Sequence, residues 1–245
     1  MKISIITASY NSAKYLDNCI NSIMSQSHKD IEYIVIDGAS TDKTLSLLNS
    51  RNNQITKLVS EKDNGIYDAM NKGINISKND IIVFCNSGDF FYKNSLKKVI
   101  QIFNSKNVDY VFGTVVRNYT KKKIIKFSLN PKRVFYNFDF ATAHSTGFFL
   151  KRDVYKIIGL YDLKFKCSSD FDLYFRMVKK GFIGSVTKKK DLIGNVASGG
   201  FSSKISFFEH LIEETKIRLK NKQNFIFIVI IFINAILKRM LKNLF

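Results

Sequence analysis

The sequence predicts an α/β fold in which a mostly parallel sheet carries helices on both faces. Short runs rich in Ile and Val alternate with segments of helical spacing over roughly the first hundred residues. Several of these runs are apolar throughout, as strands buried on both faces are. The chain has 245 residues, 45% of them hydrophobic, which is enough to bury a sizeable core.

Taken in order, "KISIITASYN" alternates and then turns polar, as a first strand does before its loop. A helix over about 12–25 follows, with Ala13, Leu16, Ile20, Ile23 and Met24 at helical spacing. "IEYIVIDGASTD" is a second buried strand ending at Asp37, and Ser40, Thr41 and Asp42 offer caps for a helix through Leu47 and Leu48. "ITKLVS" is a third strand, "GIYDAMNKGINIS" a helix, and "IIVFC" a fourth strand. A helix over 95–103 and one strand, "VDYVFGTVV", complete this half. In such sheets ligands sit at the carboxyl ends of the strands, where Asp37 and Asp89 both fall.

The second half is less regular. "NYTKKKIIKFSL" suits a strand pair with the segment before it, and "HSTGFFLKRDVYKIIG" a strand followed by a short helix. "SSDFDLYFRMVKKG" reads as a helix that Ser168 or Ser169 caps and Gly181 closes. "FIGSVT" and "LIGNVA" are short strands. With no repeat and no Pro/Ser linker, residues 1–200 read as one domain, with the change in regularity dividing it into about 1–115 and 116–200. Residues 201–245 form a helical segment of their own: "ISFFEHLIEETKIRLKNK" is a long amphipathic helix, and the next run is apolar from Phe225 to Leu237 but for Asn234. That run falls short of the roughly 20 residues that cross a hydrocarbon core. Its basic flank, Lys238, Arg239 and Lys242, suits a helix lying on an anionic membrane surface. A helix docked on the protein's own core, or a homodimer contact, is the alternative.

The formal charge is +19. So large a positive excess points to an anionic partner such as a nucleotide, a phosphorylated lipid, a membrane surface or nucleic acid. The N-terminus lacks an apolar leader, and three cysteines without a Cys-x-x-Cys pair argue against disulfides or structural zinc. The expected setting is the cytoplasm, at the inner face of the cell membrane.

Several stretches carry candidate chemistry. "TASYNS" supplies Thr7, Ser9 and Tyr10 in the loop after the first strand. Asp37 can accept a hydrogen bond from the imide N–H of a uracil, or can simply brace a capping loop. In "SEKDNGIYDAMNKG", small residues let the helix approach the sheet. Asp68, Asn71 and Lys72 stand at i, i+3 and i+4 on the other face, where Lys72 can reach a phosphate and Asp68 or Asn71 a base or sugar. In "NSGD", Ser87 and Asp89 follow the fourth strand. One carboxylate with phosphate oxygens can hold a hard divalent ion over a diphosphate. Asp170 lies in the first turn of its helix, where the dipole favours the ionised form a general base needs. Asp172 is the neighbour most easily confused with it, and helix stabilisation is the competing reading for both.

In this order these motifs resemble those of family 2 inverting glycosyltransferases of the GT-A fold, over about residues 1–200. The "GIYDAMNKG" variety looks like bacterial enzymes that build O-antigen, capsule and similar surface polysaccharides. The resemblance implies a UDP-sugar donor, nucleotide-sugar binding by about residues 1–115 with 116–200 on the acceptor side, uracil binding by Asp37, Mg²⁺ or Mn²⁺ at Asp89, and Asp170 as the base. His144, in "AHSTGFF", matches a family position near the diphosphate or acceptor. The metal motif departs from the family's Asp-x-Asp by keeping one carboxylate, so the ion should bind mainly together with the donor. The apolar tail and basic surface add a lipid-diphosphate-linked saccharide acceptor. An inactive membrane scaffold of the same fold is the nearest rival. A nucleic-acid-binding protein explains the charge but not the carboxylates at strand ends, and no nucleic-acid-binding signature is present. A glycoside hydrolase would use two carboxylates but not the nucleotide-type loops.

Overall fold

The computed structural model describes residues 1–119, 122–126, 130–138, 145–197 and 205–244. The first four strands are β1 (Ile3–Ser9), β2 (Ile31–Asp37), β3 (Lys57–Ser60) and β4 (Ile81–Phe84). Helices α1 (Ala13–Met24), α2 (Thr44–Ser50) and α3 (Ile66–Ile76) connect them. The expected β/α alternation is therefore present. β1 alternates in the way a central strand must. Ile3 and Ile5 join the core beneath α1, and Ile6 and Ala8 join the core beneath α3.

Helix α3 sits close on the sheet because Ala69 and Gly73 face it. A Cβ at Gly73 would lie 2.4 Å from Ile6 Cγ2. The small residues of "GIYDAMNKG" thus serve the close packing anticipated for them.

The single strand expected over 108–116 is two. The short β5 (Phe90–Phe91) and helix α4 (Ser95–Ser105) lead to β6 (Tyr110–Phe112), and β7 (Thr114–Tyr119) follows at once. The two part at Gly113 and enter different sheets. Beyond them lie β8 (Lys122–Lys126), β9 (Phe148–Lys151), α5 (Arg152–Ile158), α6 (Ser169–Lys179), β10 (Gly184–Val186) and β11 (Leu192–Val196). The main sheet has the order β10-β6-β9-β4-β1-β2-β3. It is parallel except for β9, which runs antiparallel to both β4 and β6. The second sheet has the order β5-β11-β7-β8. The boundary expected near residue 115 falls inside β7, and β6 and β10 tie both halves of the chain into one sheet.

Two helices close the chain, α7 (Phe207–Lys220) and α8 (Phe225–Leu244). Helix α7 is bolted to the preceding fold. Arg218 is buried and donates to the carbonyls of Val134 (3.0 Å) and Asn137 (2.7 Å), while its guanidinium lies 5.0 Å from the Phe171 ring. Buried cations are tolerated when hydrogen-bonded in this way. Among the described residues, no helix is long and apolar enough to cross a membrane.

Candidate active site

The carboxyl ends of the parallel strands gather the first group. Strand register sets Ser9 beside Asp37 and Asp37 beside Ser60. Asp37 is fully buried, and its carboxylate accepts from Ser40 N (3.0 Å), Ser40 Oγ and Ser60 Oγ (2.7 Å). As it stands, this carboxylate braces the loop. The side chains on the surface here are Tyr10, 63% exposed, and Asp63, which covers Gly38: a Cβ there would lie 2.5 Å from Asp63 Oδ2 and 3.4 Å from the Tyr10 ring.

Thr7 and Ser9 do not reach that surface. Thr7 is fully buried, donating to the Cys85 carbonyl at 2.6 Å with Tyr33 Oη at 3.2 Å. Ser9 bonds Ser12 Oγ at 2.6 Å. Strand alternation explains Thr7, which follows Ile3 and Ile5 into the layer beneath α1.

The second group surrounds "NSGD". The Asp89 N–H donates to the Asn86 carbonyl at 2.8 Å, closing a tight turn that ends the strand. The Asp89 side chain is buried at the start of β5. Ser145 Oγ (3.1 Å) and Thr146 Oγ1 (3.3 Å) donate to Oδ2, and the Ala197 N–H (3.1 Å) donates to Oδ1. Burial nevertheless pushes this carboxyl up to about 6. Thr146 can stand there because β11 carries Gly194, where a Cβ would lie 2.7 Å from Thr146 Cβ. Asn86 Nδ2 donates to Ser145 Oγ at 3.2 Å, while the buried Asn86 Oδ1 has no hydrogen-bond partner among the described residues. Ser87 is half-buried in the same turn. His144 lies outside the described residues.

The third group joins α3 to α6. Asp170 is half-buried and accepts from Tyr67 Oη at 3.2 Å and from the Phe171 N–H at 2.8 Å. Burial raises its pKa, and these two donors and the nearby His210 pull against that rise. Tyr67 stacks on Tyr161 with ring centroids 5.3 Å apart. Asn71 fixes Tyr161 in turn: its Nδ2 donates to the Tyr161 carbonyl (2.9 Å), and the Tyr161 N–H donates to its Oδ1 (3.0 Å). Asn71 is therefore buried and does not share the outer face with Asp68 and Lys72, as spacing suggested. Lys72 pairs with Glu61 (2.8 Å) and Asp68 (3.6 Å), and the Asn64 N–H donates to Asp68 Oδ2 (2.9 Å).

The start of α6 is capped differently from expectation. Ser168 occupies the N-cap but makes no side-chain capping bond, and Ser169 lies inside the helix. Glu213 of α7 instead holds the turn that leads into the helix, accepting the backbone N–H groups of Lys166 (2.8 Å), Cys167 (3.0 Å) and the N-cap Ser168 (2.9 Å), while Asp170 Oδ1 accepts the first-turn N–H of Phe171. An anionic side chain at a helix N-terminus suits both the free donors and the dipole.

Residues 4–163 match Glycosyl transferase family 2. The chain belongs to that family. The glycosyltransferase core is similar to an uncharacterized glycosyltransferase of Rickettsia typhi, 27% identical over 194 residues that cover 72% of this chain and 58% of the relative. A PGL/p-HBAD biosynthesis glycosyltransferase of Mycobacterium tuberculosis is 28% identical over 188 residues, covering 71% of this chain and 68% of its own. The chain spans between 34% and 68% of the lengths of the curated relatives it matches. In fold it is similar to Staphylococcus aureus TarS 1-349 in complex with UDP-GlcNAc, with a TM-score of 0.74 at 18% identity over 89% of this chain and 67% of that one. The mannosyltransferase PcManGT of Pyrobaculum calidifontis, crystallised with GDP-Man and Mn²⁺, has a TM-score of 0.68 at 16% identity over 96% of this chain and 68% of that one. The GT-A fold expected from the motifs is thus the fold of this glycosyltransferase-family chain.

Sequence reasoning missed Asp63, Tyr67, Ser145, Thr146 and Glu213. Tyr67 stood inside a quoted motif, three residues before Met70 of the packed face, and a Tyr among small residues was the available signal. The others also stood in quoted stretches, but their partners lie far along the chain: Ser145 and Thr146 meet Asp89, and Glu213 meets residues 166–168.

Proposed function

We propose that the protein is an inverting glycosyltransferase that moves a hexose or N-acetylhexosamine from a UDP-sugar to a saccharide acceptor. The acceptor we favour is a sugar on a lipid diphosphate, in the synthesis of O-antigen, capsule or lipooligosaccharide. The observation that carries the reading is Asp170: a half-buried carboxylate, made more basic by burial and oriented by Tyr67 of the family motif. A general base must be ionised, accessible and aimed. Its neighbour Asp172 is fully buried and occupied by Arg176, Lys220 and Asn221.

In this reading Asp170 takes the proton of the acceptor hydroxyl. The freed oxygen attacks the anomeric carbon from the side opposite the nucleotide, the bond to the UDP oxygen breaks, and configuration inverts. Tyr10 offers a ring on which the base can lie. A uracil imide would meet Asp37 only by displacing the Ser40 hydroxyl, whereas Asp63 already stands at the surface beside Tyr10. Lys72, with Asp68 beside it, is the one cation of α3 and would answer the phosphates. The phosphate end would lie over Ser87 and Asp89.

The residues around Asp89 fit a hard divalent ion. They offer one carboxylate and the unpartnered Asn86 Oδ1, both oxygen donors, as Mg²⁺ or Mn²⁺ prefers. Among the described residues there is no cluster of three or more His, Cys, Asp or Glu, and in this reading phosphate and water would complete the shell. When bound, the ion would neutralise charge on the departing diphosphate.

Helix α8 fits the lipid side. Ile228, Ile231 and Ala235 are buried, while Ile226, Ile230, Ile233, Leu237 and Met240 leave an apolar stripe open, with Lys238 and Arg239 near its end. Such a stripe suits the interface of an anionic membrane at the cytoplasmic face. The experiment is a panel of UDP- and GDP-sugars with a short lipid-diphosphate saccharide, reading nucleotide release with and without EDTA. Release from a UDP-sugar that EDTA suppresses is expected. Donor binding without any release across the panel would favour an inactive scaffold.

A further inference from the structure

Helix α7 lies beyond residues 4–163, which match the family, yet it grips the chain on both sides of Asp170. Before Asp170, Glu213 accepts from the N–H groups of Lys166, Cys167 and Ser168, and the Cys167 thiol donates to the same carboxylate at 3.0 Å. Ser168 Oγ and His210 Nδ1 share a hydrogen bond at 3.3 Å. After Asp170, Ile217 packs in one cluster with Phe171, and the Arg218 guanidinium lies over the Phe171 ring. Lys220 and Asn221, at the end of α7, hold Asp172. His210, Glu213, Ile217 and Lys220 recur at three- and four-residue spacing, so one face of the helix makes these contacts. Asp170, between the two gripped segments, is left to pair with Tyr67 of α3.

The grip is also electrically defined. Burial opposes ionisation of Glu213, but the Cys167 thiol and the three N–H groups outweigh it and hold the carboxyl below its ordinary range. Among the described residues, the titratable groups facing Asp170 are Tyr67 of α3, Tyr161 after α5, Cys167 and Tyr174 of its own segment, and His210 of α7. Burial pushes the three phenols well above ordinary tyrosine and the Cys167 thiol up to about 12, so these four stay neutral. Histidine is the side-chain type that gains charge between about pH 8 and pH 5. His210 is half-buried, and it faces Asp170 and Ser168 of the α6 segment and Glu209 of its own helix, which Lys166 also faces. Glu213 stands one turn further along α7. A cation at His210 favours the ionised form of Asp170.

We propose that α7 is the positioning element for the base. Glu213 fixes the turn from which Asp170 projects, and His210, through Ser168 and its own charge, keeps that carboxylate ready to accept a proton. The proposal deepens the reading of Asp170 as the base and rests on it. The proton still passes from the acceptor hydroxyl to Asp170, and neither α7 residue takes part in that transfer.

The test uses the full chain with isotope-labelled aspartate carboxyl carbons. The NMR signal missing from Asp170→Asn reports the Asp170 titration without any substrate. His210→Gln keeps a hydrogen-bonding group beside Ser168 and removes the charge. It should raise the Asp170 midpoint by about 0.3 unit or more, a twofold or larger change in proton affinity. His210→Lys restores a charge and should bring the midpoint back. Glu213→Gln cannot accept from all four donors and should lower kcat per folded molecule about tenfold or more, because a misplacement of about 1 Å costs on the order of 100-fold. The KM for the UDP-sugar should be unchanged. An Asp170 midpoint that stays in place in His210→Gln, or wild-type kcat per folded molecule in Glu213→Gln, would overturn the proposal. The titration needs neither donor nor acceptor, so it decides even where Glu213→Gln does not fold. A raised midpoint together with wild-type transfer by Asp170→Asn would remove the base reading and leave the coupling of His210 to Asp170 standing.

Discussion

Asp170 and Asp172 stand two residues apart in the first turn of α6, and their surroundings are opposite. Asp170 turns toward α3, where the Tyr67 hydroxyl is its one side-chain donor among the described residues, at 3.2 Å, and it remains half-buried. Asp172 turns toward α7 and has no exposed surface. It accepts from Arg176 Nε (2.8 Å), Lys220 Nζ (3.2 Å) and Asn221 Nδ2 (3.0 Å). One carboxylate is left with capacity for a proton, and the other is held by two cations and an amide. Helix geometry makes this possible, because i and i+2 lie on different faces. A first-turn Asp is thus neither catalytic nor structural by position; its neighbours across the fold decide.

The largest effect that can break this contrast is on rate. Asp170→Asn keeps the shape and removes the base. Steady-state transfer should fall by about 10²–10⁴-fold, the usual contribution of a positioned base. UDP affinity and thermal midpoint should stay near wild type. Next in size is stability. Asp172→Ala leaves Arg176 without its anion and Lys220 with Asp162 alone, and since Lys220 is exposed and still paired the cost should fall below the roughly 3 kcal/mol of a fully buried pair broken from one side. Urea unfolding should show that loss, while the rate per folded molecule holds.

The smallest effect sharpens the environment of Asp170. Tyr67 stays a protonated donor because burial holds its own pKa well above ordinary tyrosine. Its hydrogen bond favours the ionised carboxylate, as does charge on His210, while burial opposes both. Tyr67→Phe should therefore raise the Asp170 pKa further and move the acid limb of the kcat/KM profile to higher pH. The alkaline side should be unchanged. A limb that stays in place would separate Tyr67 from the base.

The alternating first half of the fold was legible because each strand and helix announces itself locally. Apolar runs ending in polar turns marked β1, β2 and β4, the last two with a glycine, and small residues marked the close seat of α3. The order of motifs also made the GT-A fold readable. Gly113 was not readable as a break. A lone glycine inside an apolar run carries little signal, yet there the chain leaves one sheet for the other. Asn71 was misread for a related reason. Spacing put it beside Asp68 and Lys72, but Tyr161, 90 residues on, supplies backbone partners that draw it inward. The same holds for Glu213 at the start of α6 and for Ser145 and Thr146 around Asp89. Charge and polarity can be read along a chain, but the partner that makes a carboxylate structural or reactive is set by packing.

The contrast on α6 is tested most directly by one matched pair. Asp170→Asn and Asp172→Asn are assayed side by side for nucleotide release per folded molecule, with UDP affinity measured in the same preparations. The expected result is an inactive, stable, UDP-binding Asp170→Asn protein beside a less stable Asp172→Asn protein that turns over at the wild-type rate per folded molecule. Wild-type turnover in Asp170→Asn, with loss of turnover in folded Asp172→Asn, would contradict the assignment of Asp170 as the base.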